Sequence, residues 1–425
     1  MGDFNKVVEV VLAWAREQAV FTEDLSASEE KLLELLRQLG QAVQQQHMNQ
    51  QPGLGYDKSS RPCACGKQQK FAGHRSKTLQ TLLGSLELRR AYYHCGHCRQ
   101  GCVPYDQAQG LGSRGVSVPL AKRVVEVTQD VPFGKSQRKL KSLVGCVLSE
   151  NTLRRITREV GRKADQIEQQ AAVQVQQDRQ AMPQMEQGRL YVEADGAMVH
   201  FTNGWHEVKN LVCRWQDARE QWHQRVLCRR EKVEAFTAMA WATAHACGLE
   251  NARQSVLLGD GIAWIWNHLG AIADEAVQIL DWYHASEHLW AVGKVLHGEG
   301  TQACQAFSKS LETLLWESKS EELLETLDRL YRSLRGKAKR EAIMGLRAYL
   351  HSHRSRIDYQ AYRDAGLYIG SGAVEGMAKN HVHARMKIGS PRWSQQGCQS
   401  MLSLRSAYAN DRQETLWKHK PLIAA

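Results

Sequence analysis

The sequence predicts a multidomain α+β protein: an α/β core interrupted by an all-helical insertion, preceded by a helical segment, a cysteine-paired β element and a small helical module. Three observations predict it. Between Leu190 and Leu280, three strand-like runs are followed by helix, strand, helix and strand patterns. After His288, leucines recur with helical period while charges fill the opposite faces. Before Gly115, two cysteine pairs flank strand-like sequence. At 425 residues the chain is also too long for one ordinary core.

Composition narrows the class. Apolar and charged fractions of 43% and 24% are those of a soluble globular protein. A net charge of +11 suits an anionic partner without saying anything about fold. The start, MGDFNKVVEVVLAWAREQ, lacks the basic and uninterrupted apolar regions of a signal peptide. No run approaches the ~18 apolar residues of a membrane span, so no membrane partner is expected and a cytoplasmic location is. In such a chain the 11 cysteines are expected to be reduced or metal-bound, not disulfide-paired.

Residues 1–56 read as an N-terminal helical region. One helix has Val7, Val8, Val10, Val11, Leu12 and Trp14 on its apolar face; a second begins near Ser26 or Ser28 and runs through Leu39. Gln41–Gln51 and Gly53–Gly55 read as a linker. In residues 57–110, Cys63 and Cys65 precede strand-like sequence with a turn at Leu83–Ser85, and Cys95 and Cys98 follow it. Four thiolates so arranged suit a closed tetrahedral zinc site, a zinc ribbon. The first pair is CxC where CxxC is usual, so His94, His97 or Cys102 could replace a ligand. Four reduced structural cysteines are the plainer alternative.

Residues 111–184 carry helical patterns at Val118–Val127, Ser136–Val144 and Glu150–Arg162, then a Gln-rich helix toward Gln187. The glycine-containing turn before Ser149 makes a helix-turn-helix whose last helix presents Arg154, Arg155, Arg158 and Arg162 to phosphates. A trihelical packing module that touches no DNA has the same pattern.

Residues 185–290 are the first part of the core. Strands at Leu190–Val199, Glu207–Trp215 and Gln224–Arg229, then αβαβ to Leu280, follow the RNase H-like order. The first strand carries carboxylates at Glu193 and Asp195, and Asp260 and Asp281 closely follow the later two apolar runs. Open α/β sheets place chemistry beyond such strand ends. Asp260-Gly261 also reads as a turn, and Asp281 as the cap of the helix carrying His284 and His288. Residues 291–366 form the all-helical insertion. Residues 367–415 are the last part of the core, with Glu375 near the start of a helix that its charge would also stabilise as a dipole partner. Residues 416–425 are a tail. Cys213, Cys228, Cys247, Cys304 and Cys398 read as small apolar residues, and Trp264, Trp266 and Trp282 as core.

CxC…CxxC, the helix-turn-helix, ADGAMV, GWHEVK, LLGDGIAWIW, LDWYHASEHL, IGSGAVEGMAKNHVHARMK and RWSQQG occur in one order from about Pro62 to Arg412. In this the chain resembles the ISKra-type transposases of bacterial insertion sequences, DDE enzymes distantly similar to the Mutator-like transposases. The resemblance implies a DDE triad of Asp195, Asp260 and Glu375, with Asp281 and His284 matching an additional Asp-x-x-His element. It also implies binding of double-stranded DNA at element ends and target, by a homodimer or higher oligomer.

In-line attack on a phosphodiester needs both the entering and leaving oxygens stabilised. Two Mg²⁺ ions, or Mn²⁺, held by three carboxylates would do this, with Asp195 shared between them. His284 could orient a water or meet the scissile phosphate. Lys379, Arg385, Lys387 and Arg392 could contact phosphates or be solvated charges, and Trp393 could stack on an unpaired base or pack in the core. Among other classes, a DNA-binding regulator with an inactive nuclease-like fold has a complete triad against it. A stand-alone RNase H-type nuclease would not need the N-terminal modules. A metallohydrolase on Asp281, His284 and His288 lacks HExxH and a further ligand.

Overall fold

In the computed structural model of the chain, which describes residues 2–417 apart from 52–53, 110, 112–114, 178–187, 218 and 390, these segments group into two units. One is Met1–Thr157 with Trp417–Ala425; the other is Arg158–Leu416. The end of the Gln-rich helix beyond Gln177, Gly53 of the expected linker and the tail beyond Trp417 lie outside the described residues.

The first unit opens with α1 (Gly2–Glu17) and α2 (Leu25–Asn49). Asp24, not Ser26 or Ser28, caps α2 by accepting the Ser26 amide, and buried Ser28 instead ties its hydroxyl to the Thr22 and Asp24 carbonyls. The glutamines expected as a linker are helical to Asn49, for a physical reason. A four-stranded antiparallel sheet follows: β1 (Ser60–Pro62), β2 (Gln68–Thr81), β3 (Gly84–His94) and β4 (Gly101–Cys102). Strand β3 pairs with β4 only at Tyr93 and His94, which leaves carbonyls free along the rest of that edge. The amides of Gln41 and Gln45 donate to two of these, on Ser85 at 2.7 Å and Glu87 at 3.0 Å, so polar side chains dock the helix where an apolar face would leave the edge unsatisfied.

After α3 (Pro104–Ala108) come α4 (Val118–Thr128), α5 (Phe133–Val144) and α6 (Glu150–Gln177), a helix that passes from the first unit into the second. Leu120, Val124, Val125, Leu140, Leu153 and Ile156 bury completely between the three. Gly145 at φ +73° ends α5, and the Ser149 hydroxyl accepts the Thr152 amide to start α6.

The second unit is built on β5 (Arg189–Phe201), β6 (Gly204–Gln216) and β7 (Trp222–Arg229), then α7 (Val233–His245) and β8 (Gln254–Gly259). A π-helical turn, Ile265–Leu269, leads through α8 (Gly270–Ile272) to β9 (Val277–Leu280). The sheet order is β7-β6-β5-β8-β9; the β5–β6 and β6–β7 pairs are antiparallel, the β5–β8 and β8–β9 pairs parallel. Strands β8 and β9 are apolar enough to be covered on both faces, and Val256, Leu257, Leu258, Ile279 and Leu280 are fully buried.

Helices α9 (Trp282–His297), α10 (Gln302–Trp316), α11 (Ser320–Ser333), α12 (Lys337–Ser352) and α13 (Tyr359–Asp364) follow. Their residues Leu311, Leu315, Leu323, Leu327, Leu346 and Leu350 belong to the same apolar core as the sheet, so the stretch expected as a separate insertion shares its interior with the α/β layer. The chain returns through α14 (Gly372–Met377), a π-helical turn at Ala378–His383 and α15 (Ala384–Met386), then α16 (Gln395–Ala409). Arg229 of β7, completely buried, meets Asp165 at 2.8 Å and Glu168 at 2.6 Å on α6 and also pairs with Glu231. Burial outweighs this guanidinium at Glu168 and raises its carboxyl to about 7. Among the described residues no helix is long and apolar enough to cross a membrane.

Candidate active site and metal centre

Cys63 and Cys65 sit in the turn between β1 and β2, Cys95 and Cys98 in the turn between β3 and β4. Gly66 at φ +79° closes the first turn by donating its amide to the Cys63 carbonyl, and the Arg99 amide donates to the Cys95 carbonyl in the second. The four sulfurs lie within 4.8 Å of one another. Cys63 and Cys98 are 3.5 Å apart, Cys65 and Cys95 3.7 Å. A zinc tetrahedron with Zn–S bonds near 2.3 Å has edges of about 3.8 Å, so this donor set fits a soft tetrahedral ion. The Cys98 amide, aimed at the Cys95 sulfur, lowers that thiol to about 6. Cys102 stays outside the group and donates its S–H to Gln69 Oε1 at 2.9 Å; His94 and His97 are not part of it either. The CxC pair therefore brings both of its own sulfurs.

The acidic residues meet at one sheet edge because of register. Ala194 of β5 pairs with Gly259 of β8, and Gly259 with Leu280 of β9. Asp195, Asp260 and Asp281 are each the next residue, so they stand side by side at one edge, where β8 and β9 end and β5 runs on to Phe201. Burial, and next the carboxylate of Asp260, push Asp195 up to about 6; Glu375 adds to the rise and His284 opposes it. Burial likewise raises Asp260, against the Ile262 amide, which donates to its Oδ1 at 3.0 Å. Crowded, half-buried carboxylates of this kind favour a bound cation.

Glu375 reaches this edge from the far end of the helical stretch because two buried carboxylates hold the returning segment. Asp281, fully buried, accepts the Ser371 amide and, at 2.6 Å, its hydroxyl on Oδ2. Glu193 of β5 accepts the Val374 amide at 3.1 Å and pairs with Arg214 at 3.3 Å. The Trp282 amide also donates to the Ile369 carbonyl at 2.9 Å. Donor atoms of Asp281, His284 and Glu375 come within 4.8 Å of one another, near enough to share one ion. Asp281 is also tied into the fold: its Oδ1 accepts the His284 amide at 2.8 Å and its Oδ2 holds Ser371. Expected beside the chemistry as an auxiliary catalytic acid, it is a helix cap and a clip and belongs to this group of potential ligands, while Asp195 and Asp260 line the same edge outside it.

Further residues close the edge. Tyr349 of α12 lies on Gly261, where a Cβ would come within 2.3 Å of its ring, so only glycine fits beside Asp260. Its ring stacks on His288 at 4.1 Å and meets His353 at 4.9 Å edge-on. Burial lowers His353 to about 4. Glu207 of β6 accepts from Trp264 at 3.1 Å and from Lys209 at 2.8 Å, against Gly196.

The residues expected on DNA divide. Arg154, Arg155, Arg158 and Arg162 are all exposed on α6, Arg154 pairing with Glu150. Lys387 and Arg392 are exposed, and Lys379 meets Glu375 at 3.3 Å. Arg385 is buried over the Trp393 ring, 5.2 Å from its centroid, and cannot reach a phosphate. Trp393 is buried too: its indole donates to the Met386 carbonyl at 3.1 Å and its backbone bonds His200 and Thr202, so it is core and not a stacking platform.

Residues 64–420 match the profile of Uncharacterised protein family (UPF0236), and the chain belongs to that family. No curated protein matches the sequence.

Proposed function

We propose that this member of UPF0236 is an insertion-sequence DNA transposase of the ISKra kind, which binds the terminal repeats of its element and carries out phosphodiester hydrolysis and strand transfer at Asp195, Asp260 and Glu375. The observation that carries the reading is the register that sets Asp195, within β5, beside Asp260 at the end of β8, with the segment bearing Glu375 clipped back to that edge. The strand order, three antiparallel and then two parallel, supports an RNase H-like core. The cysteine cluster supports a zinc ribbon, and the exposed arginines of α6 support a helix-turn-helix that follows the phosphate backbone.

The oxygen donors of Asp195, Asp260 and Glu375, with His284 beside them, suit Mg²⁺ or Mn²⁺. When bound, a pair of such ions stabilises the attacking and leaving oxygens of an in-line displacement. The chain's own part is to hold its acids in place through Asp281 and Glu193 and to keep them half-buried. His284, amide-bonded to Asp281, is fixed at the first turn of α9 and available to orient a water.

The test is Mg²⁺-dependent cleavage of duplex DNA bearing the ends of the element that encodes the chain, alongside Mn²⁺ binding by calorimetry. Asp195→Asn, Asp260→Asn and Glu375→Gln should each abolish cleavage and weaken Mn²⁺ binding. Cleavage that survives any of them would remove the triad. Metal binding lost in Asp281→Asn but kept in Asp195→Asn would favour a one-ion hydrolase on Asp281, His284 and Glu375, the reading their proximity allows.

A further inference from the structure

Beside the acidic edge, an open groove of about 710 Å³ is lined by Arg214, Trp282, Tyr283, Trp316 and Tyr368 and by the backbone of Gly370 and Gly372. Its rings are open to solvent: Tyr283 is 63% exposed, Tyr368 51% and Trp316 38%. Single exposed aromatics are ordinary, whereas several along one groove mark a binding surface. Trp282, expected to be core, is only half-buried and forms part of the wall. Gly370 leaves room for the Tyr283 ring, which a Cβ would approach to 3.0 Å, and a Cβ at Gly372 would meet nothing within 4 Å. The floor there is bare backbone, wide enough for a flat group.

Cations accompany the rings. The Arg214 guanidinium lies 4.6 Å from the centroid of Trp222, a ring that packs against Tyr368, and Arg363 lies 3.8 Å from that of Trp316. Flat π faces with guanidinium groups suit a flat, aromatic, anionic ligand, and a chain of net charge +11 suits the same sign. The groove is continuous with the candidate active site. Trp282 and Tyr283 directly follow Asp281, and Gly370 and Gly372 flank Ser371, which that carboxylate holds. Bases within a duplex hide their faces in the stack, so the complementary ligand is an unpaired nucleotide.

We propose that this groove binds an unpaired nucleotide of a DNA strand, its base stacked on Tyr283 and its phosphate facing Arg214. The choice of DNA rests on the phosphodiester-transfer reading, but binding has its own readout. Fluorescence anisotropy of the full chain would compare a labelled short oligothymidylate with a duplex of the same length. Tyr283→Ala combined with Tyr368→Ala, both exposed and so replaceable without opening the core, should weaken single-strand binding about ten-fold or more and leave duplex binding within about two-fold. Unchanged single-strand affinity overturns the inference. So does a change of association state in the double variant with no change in affinity, since a second copy of the chain would then occupy the groove. If single-strand binding falls as expected but the wild type cleaves no DNA with Mg²⁺, the groove stands and the transferase reading fails. If cleavage depends on Asp195 while single-strand binding ignores both tyrosines, the reverse holds.

Discussion

Cys63, Cys65, Cys95 and Cys98 come from two turns of one small sheet, while Asp195, Asp260 and Glu375 come from two strands and a helix separated by a long helical stretch. The first cluster is local and closed: its four sulfurs converge on one another, and neighbouring amides complete the turns. The second is distributed and open: burial and the Asp260 carboxylate raise Asp195, and a pair of buried acids, Asp281 and Glu193, holds the segment that carries Glu375. A closed set of soft donors stabilises a fold. An open set of hard donors on a braced frame keeps positions free for substrate. The two regions therefore should fail in different ways.

The largest effect is expected at the cysteines. Structural zinc stabilises small domains by on the order of 10 kcal/mol. Cys95→Ser, or strong chelation, should abolish one bound zinc per chain and lose amide protection across β2 and β3, while β5, β8 and β9 stay protected in hydrogen-exchange mass spectrometry. Equal loss in both sheets would erase the contrast between them.

Next come the clips and the buried ion cluster. Asp281→Ala leaves the Ser371 amide and hydroxyl buried without a partner and should destabilise by about 3–5 kcal/mol in chemical denaturation, with weaker Mn²⁺ binding through a displaced Glu375. If stability fell and Mn²⁺ binding did not, the clip would have no bearing on the site. Arg229→Ala strands Glu168 and Glu231 and should cost a similar ~3–5 kcal/mol, with no effect on metal binding in the variant that remains folded.

Asp195→Asn should act in the opposite direction. Its carboxyl is raised to about 6 in the folded chain against about 3.9 unfolded, so the folded state holds its proton longer and stability falls as pH rises through that window. Without metal, the asparagine variant should be more stable than wild type above pH 6 and should lose the wild type's stabilisation by Mg²⁺, both read as thermal midpoints.

The smallest effect concerns His381, buried on the returning helix and lowered to about 3 by burial and by Arg405. The unfolded chain takes up its proton near pH 6.5 and the folded chain does not, so its contribution is full above that pH and declines as pH falls toward 3. His381→Gln should flatten the loss of thermal midpoint between pH 6.5 and 4. An unchanged slope would assign that loss to other groups, His353 first.

Much of this was legible in the chain. Val277–Leu280 has the span read from its apolar run, and the short apolar pattern ahead of Asp260 is likewise a buried strand beside β5. The four cysteines stand together as their spacing suggests. The Gln-rich end of α2 was not legible, because glutamine reads as linker unless an unpaired strand edge is there to receive its amides. Whether Arg385 and Trp393 meet DNA was not legible for a related reason: charge and aromaticity do not say which way a side chain faces, and both face inward. Tyr349 and Glu193 carry no motif, since their roles depend on Gly261 and on the Val374 amide, each far away in sequence.

The sequence by itself determined the local features: which runs are strands, which turns carry sulfur, and that Asp260 and Asp281 follow two short buried strands. Periodicity and residue chemistry act over a few neighbours, and that range is enough for these. Tertiary structure alone decided that Asp281 clips the returning segment, that the helical stretch shares the core of the sheet, and that the open aromatic rings lie along one groove beside Gly370 and Gly372. Each of these depends on which buried hydrogen-bonding groups find partners across long sequence separations, and only the folded chain brings those partners together.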